Sequence, residues 1–245
     1  MLSSPANERF QADGYLPRIK VAEPAEAEHI RHLFDELEAK EGRERAQIGL
    51  LDRHFDEPFI MALATKPDVL DCVEALIGPN ILLLATHFFC KYGADTKYVA
   101  WHQDVTYWGL EPPNALTVWY AVDDSDTANG CMRVIPGSHL KGIREHGKAD
   151  ASGNLLSINQ EVCVSESEAE SAVALELCAG EASIHDGMTI HCSLPNRSTR
   201  RRCGLTLRYV PTSVKPVAAN SNSKKWTAIL VRGVDEFSHF SPGLL

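Results

Sequence analysis

The chain has 245 residues, of which 44% are apolar, and a formal net charge of −9 at pH 7. Such a charge disfavours nucleic acid or an anionic membrane as a partner, since polyanions are gripped through a broad basic face, and no run of about 18 apolar residues is present to span a bilayer. Seven scattered cysteines without a C-x-x-C pair exclude a zinc ribbon or a disulfide scaffold and favour a reducing, cytoplasmic setting. The N-terminus, MLSSPANE, lacks the basic-then-apolar layout of a secretion signal.

The first eighty residues read as helical. Ile30, Leu33, Phe34 and Leu37 follow the i, i+3, i+4, i+7 rule, and a second helix is expected from Pro67 or Asp68 to Ile77, with Val69, Val73, Leu76 and Ile77 on its apolar face. Gly78-Pro79-Asn80 should end it. The character then changes. Ile81 to Phe89 is a continuous apolar run, and Ala115 to Val122, Cys131 to Ile135, Val173 to Leu177, Ser183 to Ile184, Met188 to His191 and Cys203 to Val210 are short β-forming stretches separated by turn residues. This spacing predicts a β-sandwich or barrel. Residues 140–170 are polar and weakly patterned, as expected of a loop over one mouth of it. One domain is expected, with a helical part at 1–80, a β core at 81–215 and a C-terminal arm at 216–245.

The strongest local signal is Trp101-His102-Gln103-Asp104. Read as a strand, it turns His102 and Asp104 to the same face, where imidazole and carboxylate can share one ion. Further along, Ile184-His185-Asp186-Gly187-Met188-Thr189-Ile190-His191 offers two more histidines around an Asp-Gly turn, and either could complete a 2-His-1-carboxylate face. That face leaves three positions of an octahedral metal open, as a bidentate cosubstrate and O2 require. Downstream, Arg197-Ser198-Thr199-Arg200-Arg201-Arg202 precedes an apolar strand; an arginine pointing inward there could hold a carboxylate through forked hydrogen bonds. His139 reads as a turn residue, and His29, His32, His54, His146 and His239 as surface residues.

These stretches carry a family resemblance. FQADGY at 10–15, WHQDVTYWGLEPPNALTVWYAVDDSD at 101–126, NGCMRVIPGSHLKG at 129–142, GEASIHDGMTIHCSLPNRSTRRRCGLTLRY at 180–209 and LVRGVD at 230–235 resemble the phytanoyl-CoA dioxygenase family of Fe(II)/2-oxoglutarate oxygenases. The resemblance implies a mainly β fold with flanking helices, around a double-stranded β-helix (a jelly-roll, cupin-like core) with a metal at one mouth. It implies His102, Asp104 and His191 as ligands of Fe(II). It further implies Arg202 as the partner of the remote carboxylate of 2-oxoglutarate, with Ser193, Trp119 and His87 in the same pocket. Arg200 and Arg201 take the arginine role if the strand register is shifted by one. Cys192 departs from the family's usual glycine and sets an oxidisable thiol beside the metal.

With O2 as co-reactant, the implied reaction is hydroxylation of an aliphatic carbon of a small molecule, with release of succinate and CO2. Tyr107 and Trp108 are suited to wall the substrate pocket. Arg208, sharing strand parity with Arg202, would meet an anionic substrate if it points inward, or an internal carboxylate instead. A halogenase would lack the carboxylate that Asp104 supplies. A non-catalytic metal-binding barrel is the rival from another class, and oligomeric state is left open.

Overall fold

Two helices form where the apolar spacing places them, and proline and glycine set their limits. The computed structural model describes residues 4–149, 153–156, 159–217 and 226–243, apart from the Tyr107 side chain. Helices α1 (Ser4–Asp13), α2 (Pro24–Glu41), α3 (Arg43–Ile48), α4 (Pro58–Ala64) and α5 (Pro67–Ile77) lead the chain, with strand β1 (Tyr15–Lys20) between the first two. In α2, proline opens the first turn, Ala27, Ile30, Phe34 and Leu37 are buried, and Gly42 at φ 87° closes the last turn by donating to Glu38 O. Helix α5 begins and ends as expected, with Gly78 at φ 91° beyond it.

There follow β2 (Ile81–Lys91), β3 (Val99–His102), β4 (Leu110–Glu111), β5 (Leu116–Ala121), β6 (Met132–Val134), β7 (His146–Lys148) and β8 (Gln160–Val162). Beyond them lie α6 (Glu166–Ser171), β9 (Val173–Leu175), β10 (Glu181–Asp186), β11 (His191–Ser193), β12 (Arg202–Pro211), β13 (Lys215–Pro216), β14 (Thr227–Arg232) and β15 (Ser241–Pro242). The large sheet runs β1-β10-β5-β12-β2-β14-β15 and the small one β3-β11-β6-β9. Together they make a jelly roll. Strand β1 departs from the all-helical reading of the N-terminal part: Tyr15 and Leu16 pair with His185 and Ile184, extending the large sheet. The 140–170 segment carries the β7–β8 hairpin and α6, although 150–152 and 157–158 lie outside the described residues.

Side chains alternate across the large sheet. Phe88, Leu205, Leu207, Val118, Tyr120 and Ile184 face the helices and bury Phe34 and its neighbours. The opposite face looks at the small sheet. Register rows place Lys91 opposite Arg202, His87 and Trp119 opposite Thr206, and Arg208 and His185 on either side of Thr117. The sequence therefore aims a row of polar side chains into the space between the sheets.

Candidate metal and cosubstrate centre

His102 ends β3, and His191, first residue of β11, lies opposite it in register. Each imidazole is oriented by a main-chain carbonyl two residues upstream, with His102 Nδ1 at 2.9 Å from Ala100 O and His191 Nδ1 at 2.9 Å from Thr189 O. A carbonyl only accepts, so Nδ1 carries the proton and the Nε2 lone pair serves as ligand. The Asp-Gly turn delivers His191: Asp186 Oδ1 accepts from Met188 N at 2.7 Å, and Asp186 O accepts from Thr189 N at 2.9 Å.

Asp104 does not reach the site as strand parity had it. The strand stops at His102, and Asp104 opens a 3-10 turn (Asp104–Tyr107) that swings its carboxylate back, with Oδ1 3.5 Å from His102 Nε2. Its other oxygen, Oδ2, accepts from Thr117 Oγ1 at 2.8 Å and lies 3.4 Å from His185 Nε2. One ligand atom from each of His102, Asp104 and His191 falls within 4.8 Å of the others, and all three residues are buried.

The charges suit a cation. Burial works to raise the Asp104 carboxyl, but His102 and His185 and the Arg208 charge hold it well below the usual carboxylate range. Burial and then repulsion from His102 and His185 keep the His191 imidazole neutral well below its ordinary value. A neutral imidazole at His191 and an ionised carboxylate at Asp104 are protonation states that a divalent metal needs, and the N/O donor set matches Fe(II).

His185 is not part of this ligand set. It lines the same cavity 4.5 Å ring to ring from His191; its Nε2 faces Asp104 Oδ2 at 3.4 Å, and its Nδ1 has no hydrogen-bond partner among the described residues.

Arg202 is 2% exposed; its guanidinium stacks over Trp119 at 4.5 Å, and Nε reaches Ser125 Oγ only at 3.4 Å. It makes no ion pair among the described residues. Gly204 makes the stacking possible, because a Cβ there would lie 1.9 Å from the Trp119 ring. Arg201, one residue earlier, points the other way, to Asp123, Asp35 and Glu38, and Arg200 pairs with Asp126. Ser193 lines the cavity beside Arg202, and its Oγ is 2.6 Å from Lys91 Nζ. An uncompensated guanidinium, a hydroxyl and an aromatic wall form a fitting cradle for a carboxylate.

Other expected pocket residues stand elsewhere. His87 is not among the cavity-lining residues: its Nε2 lies 2.6 Å from Ile48 O, and its ring packs on Phe89. Burial, then Arg208, push its imidazole down to about 3. Trp108 packs in an apolar cluster with Leu82, Leu84 and Val210, and meets the site only as the ring beneath Arg208, at 5.2 Å. The Tyr107 side chain lies outside the described residues. Arg208 does point inward and lines the cavity; its Nε has no partner, and it makes no ion pair among the described residues. Of the histidines read as surface residues, His54 is 3% exposed and meets Thr86 Oγ1 at 2.9 Å.

Three residues here carried no signal in sequence: Lys91, at the end of an apolar run, Thr117, and Gln103. The last, fully buried between two of the ligands, donates to Gly142 O at 3.0 Å and Met188 O at 2.7 Å and accepts from Arg144 N at 2.8 Å.

A buried His-x-Asp…His face at the mouth of a jelly roll defines the class of non-haem metal oxygenase folds. Within that class the chain belongs to the phytanoyl-CoA dioxygenase family, whose model matches residues 10–204. The solved non-haem monooxygenase ThoJ superposes with a TM-score of 0.79 at 30% identity, over 97% of this chain and 86% of its own. CytC3, solved with Fe(II) and alpha-ketoglutarate, gives 0.73 at 27% identity, over 99% and 93%. A probable alpha-ketoglutarate-dependent hypophosphite dioxygenase of Stutzerimonas stutzeri is 25% identical over 74% of this chain. The chain spans 43% and 62% of the length of the first two curated relatives it matches. Among the described residues no helix is long and apolar enough to cross a membrane.

Proposed function

We propose that this protein is an Fe(II)- and 2-oxoglutarate-dependent dioxygenase that hydroxylates an aliphatic carbon of a small anionic metabolite. His102, Asp104 and His191 hold the metal, while Arg202, Ser193 and Trp119 hold the remote carboxylate of 2-oxoglutarate. When bound, the metal, the cosubstrate and O2 supply the oxidising power for C–H hydroxylation, and succinate and CO2 leave. The chain's own part is to orient these partners and to keep water from the reacting atoms. CytC3 binding Fe(II) and alpha-ketoglutarate supports the cofactor assignment, and seven free cysteines fit a cytosolic location.

The observation that carries the substrate class is Arg208. Its guanidinium lies over the Trp108 ring at 5.2 Å, in the row of Thr117 and His185 beside Asp104, with no ion pair among the described residues. A cation so placed is costly until an anion meets it, and Arg202 already serves the cosubstrate. A hypophosphite dioxygenase among the relatives is in keeping with an anionic substrate.

The test is succinate release by anaerobically reconstituted protein on a panel of small carboxylates, phosphonates and neutral or cationic controls. An anionic substrate is expected, with Arg208→Ala raising its KM roughly 10- to 100-fold and leaving the slow substrate-free decarboxylation intact. A neutral or cationic substrate, or a variant that loses substrate-free turnover equally, would remove Arg208 from substrate recognition. Absence of succinate with every compound and without any would overturn the catalytic reading in favour of a binding barrel.

A further inference from the structure

Beside the cosubstrate cradle lies a second buried basic side chain. Lys91 and Arg202 are opposite one another on adjacent strands, 0% and 2% exposed, and neither makes an ion pair among the described residues. All three hydrogen-bond neighbours of Lys91 Nζ are oxygens: Ser193 Oγ at 2.6 Å, Leu194 O at 2.5 Å and Ser193 O at 3.2 Å. The two carbonyls can only accept, whereas the hydroxyl can accept or donate.

This set satisfies the nitrogen in either protonation state. A neutral amine gives its two N–H to the carbonyls and takes the Ser193 hydroxyl proton on its lone pair. An ammonium gives a third N–H to Ser193 Oγ and releases the hydroxyl proton to point into the cavity that Ser193 lines. The two states therefore differ in whether Ser193 can donate to a carboxylate resting on Arg202.

We propose that Lys91 is a proton-linked second cation of the cosubstrate pocket, taking one proton from solvent as the remote carboxylate of 2-oxoglutarate settles on Arg202 and Ser193, and returning it when succinate leaves. The step is one proton transfer: an N–H forms at Lys91 Nζ as a bond to hydrogen in the solvent or buffer acid breaks, and the reverse occurs on release. The electrostatics agree: burial, then the Arg202 charge, push the Lys91 ammonium down to about 6. Of the other groups facing it, Cys192 and Cys131 are pushed up by burial to about 12 and about 11 and carry no charge near neutrality. Asp95 is engaged by Gln47 and by Lys97 N. A carboxylate arriving beside Arg202 offsets the repulsion and draws the proton on.

The inference rests on the assignment of Arg202 and Ser193 to the cosubstrate. Its test is anaerobic titration calorimetry of the Mn(II)-loaded protein with 2-oxoglutarate at pH 7.5, in three buffers of different ionisation enthalpy. The slope of observed heat against buffer enthalpy counts protons. About one proton taken up per 2-oxoglutarate is expected, with affinity falling up to tenfold per pH unit above neutrality. Lys91→Arg should bind within a few-fold of the parent with no uptake; Lys91→Met should lose the uptake and bind roughly tenfold or more weakly.

A count of zero in the unmodified protein, which needs no variant to fold, overturns the proposal, as does uptake that persists in either variant. Were Arg202→Ala to leave binding unchanged, the assignment of the pocket would fail instead. A zero count with the Arg202 dependence intact fails Lys91 alone.

Discussion

Replacing Arg202 by methionine removes a guanidinium that the protein itself scarcely uses. Among the described residues its one side-chain hydrogen bond, to Ser125 Oγ, is long at 3.4 Å, and the guanidinium stacks on the Trp119 face at 4.5 Å. Its donors are thus available to a bidentate, charge-assisted pair with the cosubstrate. Breaking such a pair in a buried setting costs about 3–5 kcal/mol, or roughly 100- to 4000-fold in the Kd of 2-oxoglutarate at about 1.4 kcal/mol per decade. The fold should be unharmed or stabilised, since a buried unpaired charge has gone. Arg201→Met should do the reverse. Its guanidinium bonds Asp123 at 2.8 and 3.0 Å, Asp35 at 2.6 Å and Glu38 at 3.0 Å, so the melting temperature should fall while cosubstrate affinity holds. Anaerobic titration calorimetry and thermal melts on both variants decide the matter. The opposite ranking would mean that β12 is turned by one residue, which would void every inward assignment along it.

Thr117→Val keeps shape but removes the donor to Asp104 Oδ2 at 2.8 Å. Metal affinity, read by chelator competition, should drop about 10- to 100-fold; an unchanged affinity would show that the carboxylate needs no such anchor. The Arg144 guanidinium beside Glu168 holds that carboxyl down at about 2. A depressed carboxylate contributes stability above its unfolded range near pH 4.5 that is lost as pH falls towards about 2. Denaturant titrations should therefore find Glu168→Gln less stable than the parent at pH 6, with the gap narrowing below pH 4.5; a constant gap would place the effect in the Ser165–Glu168 cap instead.

Those features that repeat were legible in the sequence. Helix α5 began and ended where its proline and glycine said, and β2, β5 and β12 fell on the apolar β-branched runs. His102, Asp104 and His191, which the fold brings together, could be named because they are chemically distinctive residues with a family pattern around them. What escaped notice depended on tertiary position. A lysine closing a strand reads as a solvated end, yet Lys91 is fully buried because β11 and the chain beyond it cross over it. The resemblance implied a pocket role for His87, but it does not reveal that α3 offers the Ile48 carbonyl to its ring. The aromatic character of Trp108 fits cavity wall and core equally, and only its neighbours Leu82, Leu84 and Val210 decide for the core. The reading of His102-Gln103-Asp104 as one strand named two side chains that do converge, but through the wrong geometry, since a 3-10 turn begins at the carboxylate.

That turn leaves Gln103 as the residue on which the two halves of the design are hinged. One amide side chain, seated between His102 and Asp104, ties the segment at Gly142 and Arg144 to the backbone of Met188, upstream of His191. The polar segment at Gly142 and Arg144 is therefore fastened to the turn that carries His191. A change that shifts Gly142 or Arg144 is passed through three main-chain contacts to the backbone of Met188, three residues before His191. Replacing that segment is then a transplant with two attachment points, and its success depends on what becomes of a glutamine whose side chain bonds main-chain groups on both of them.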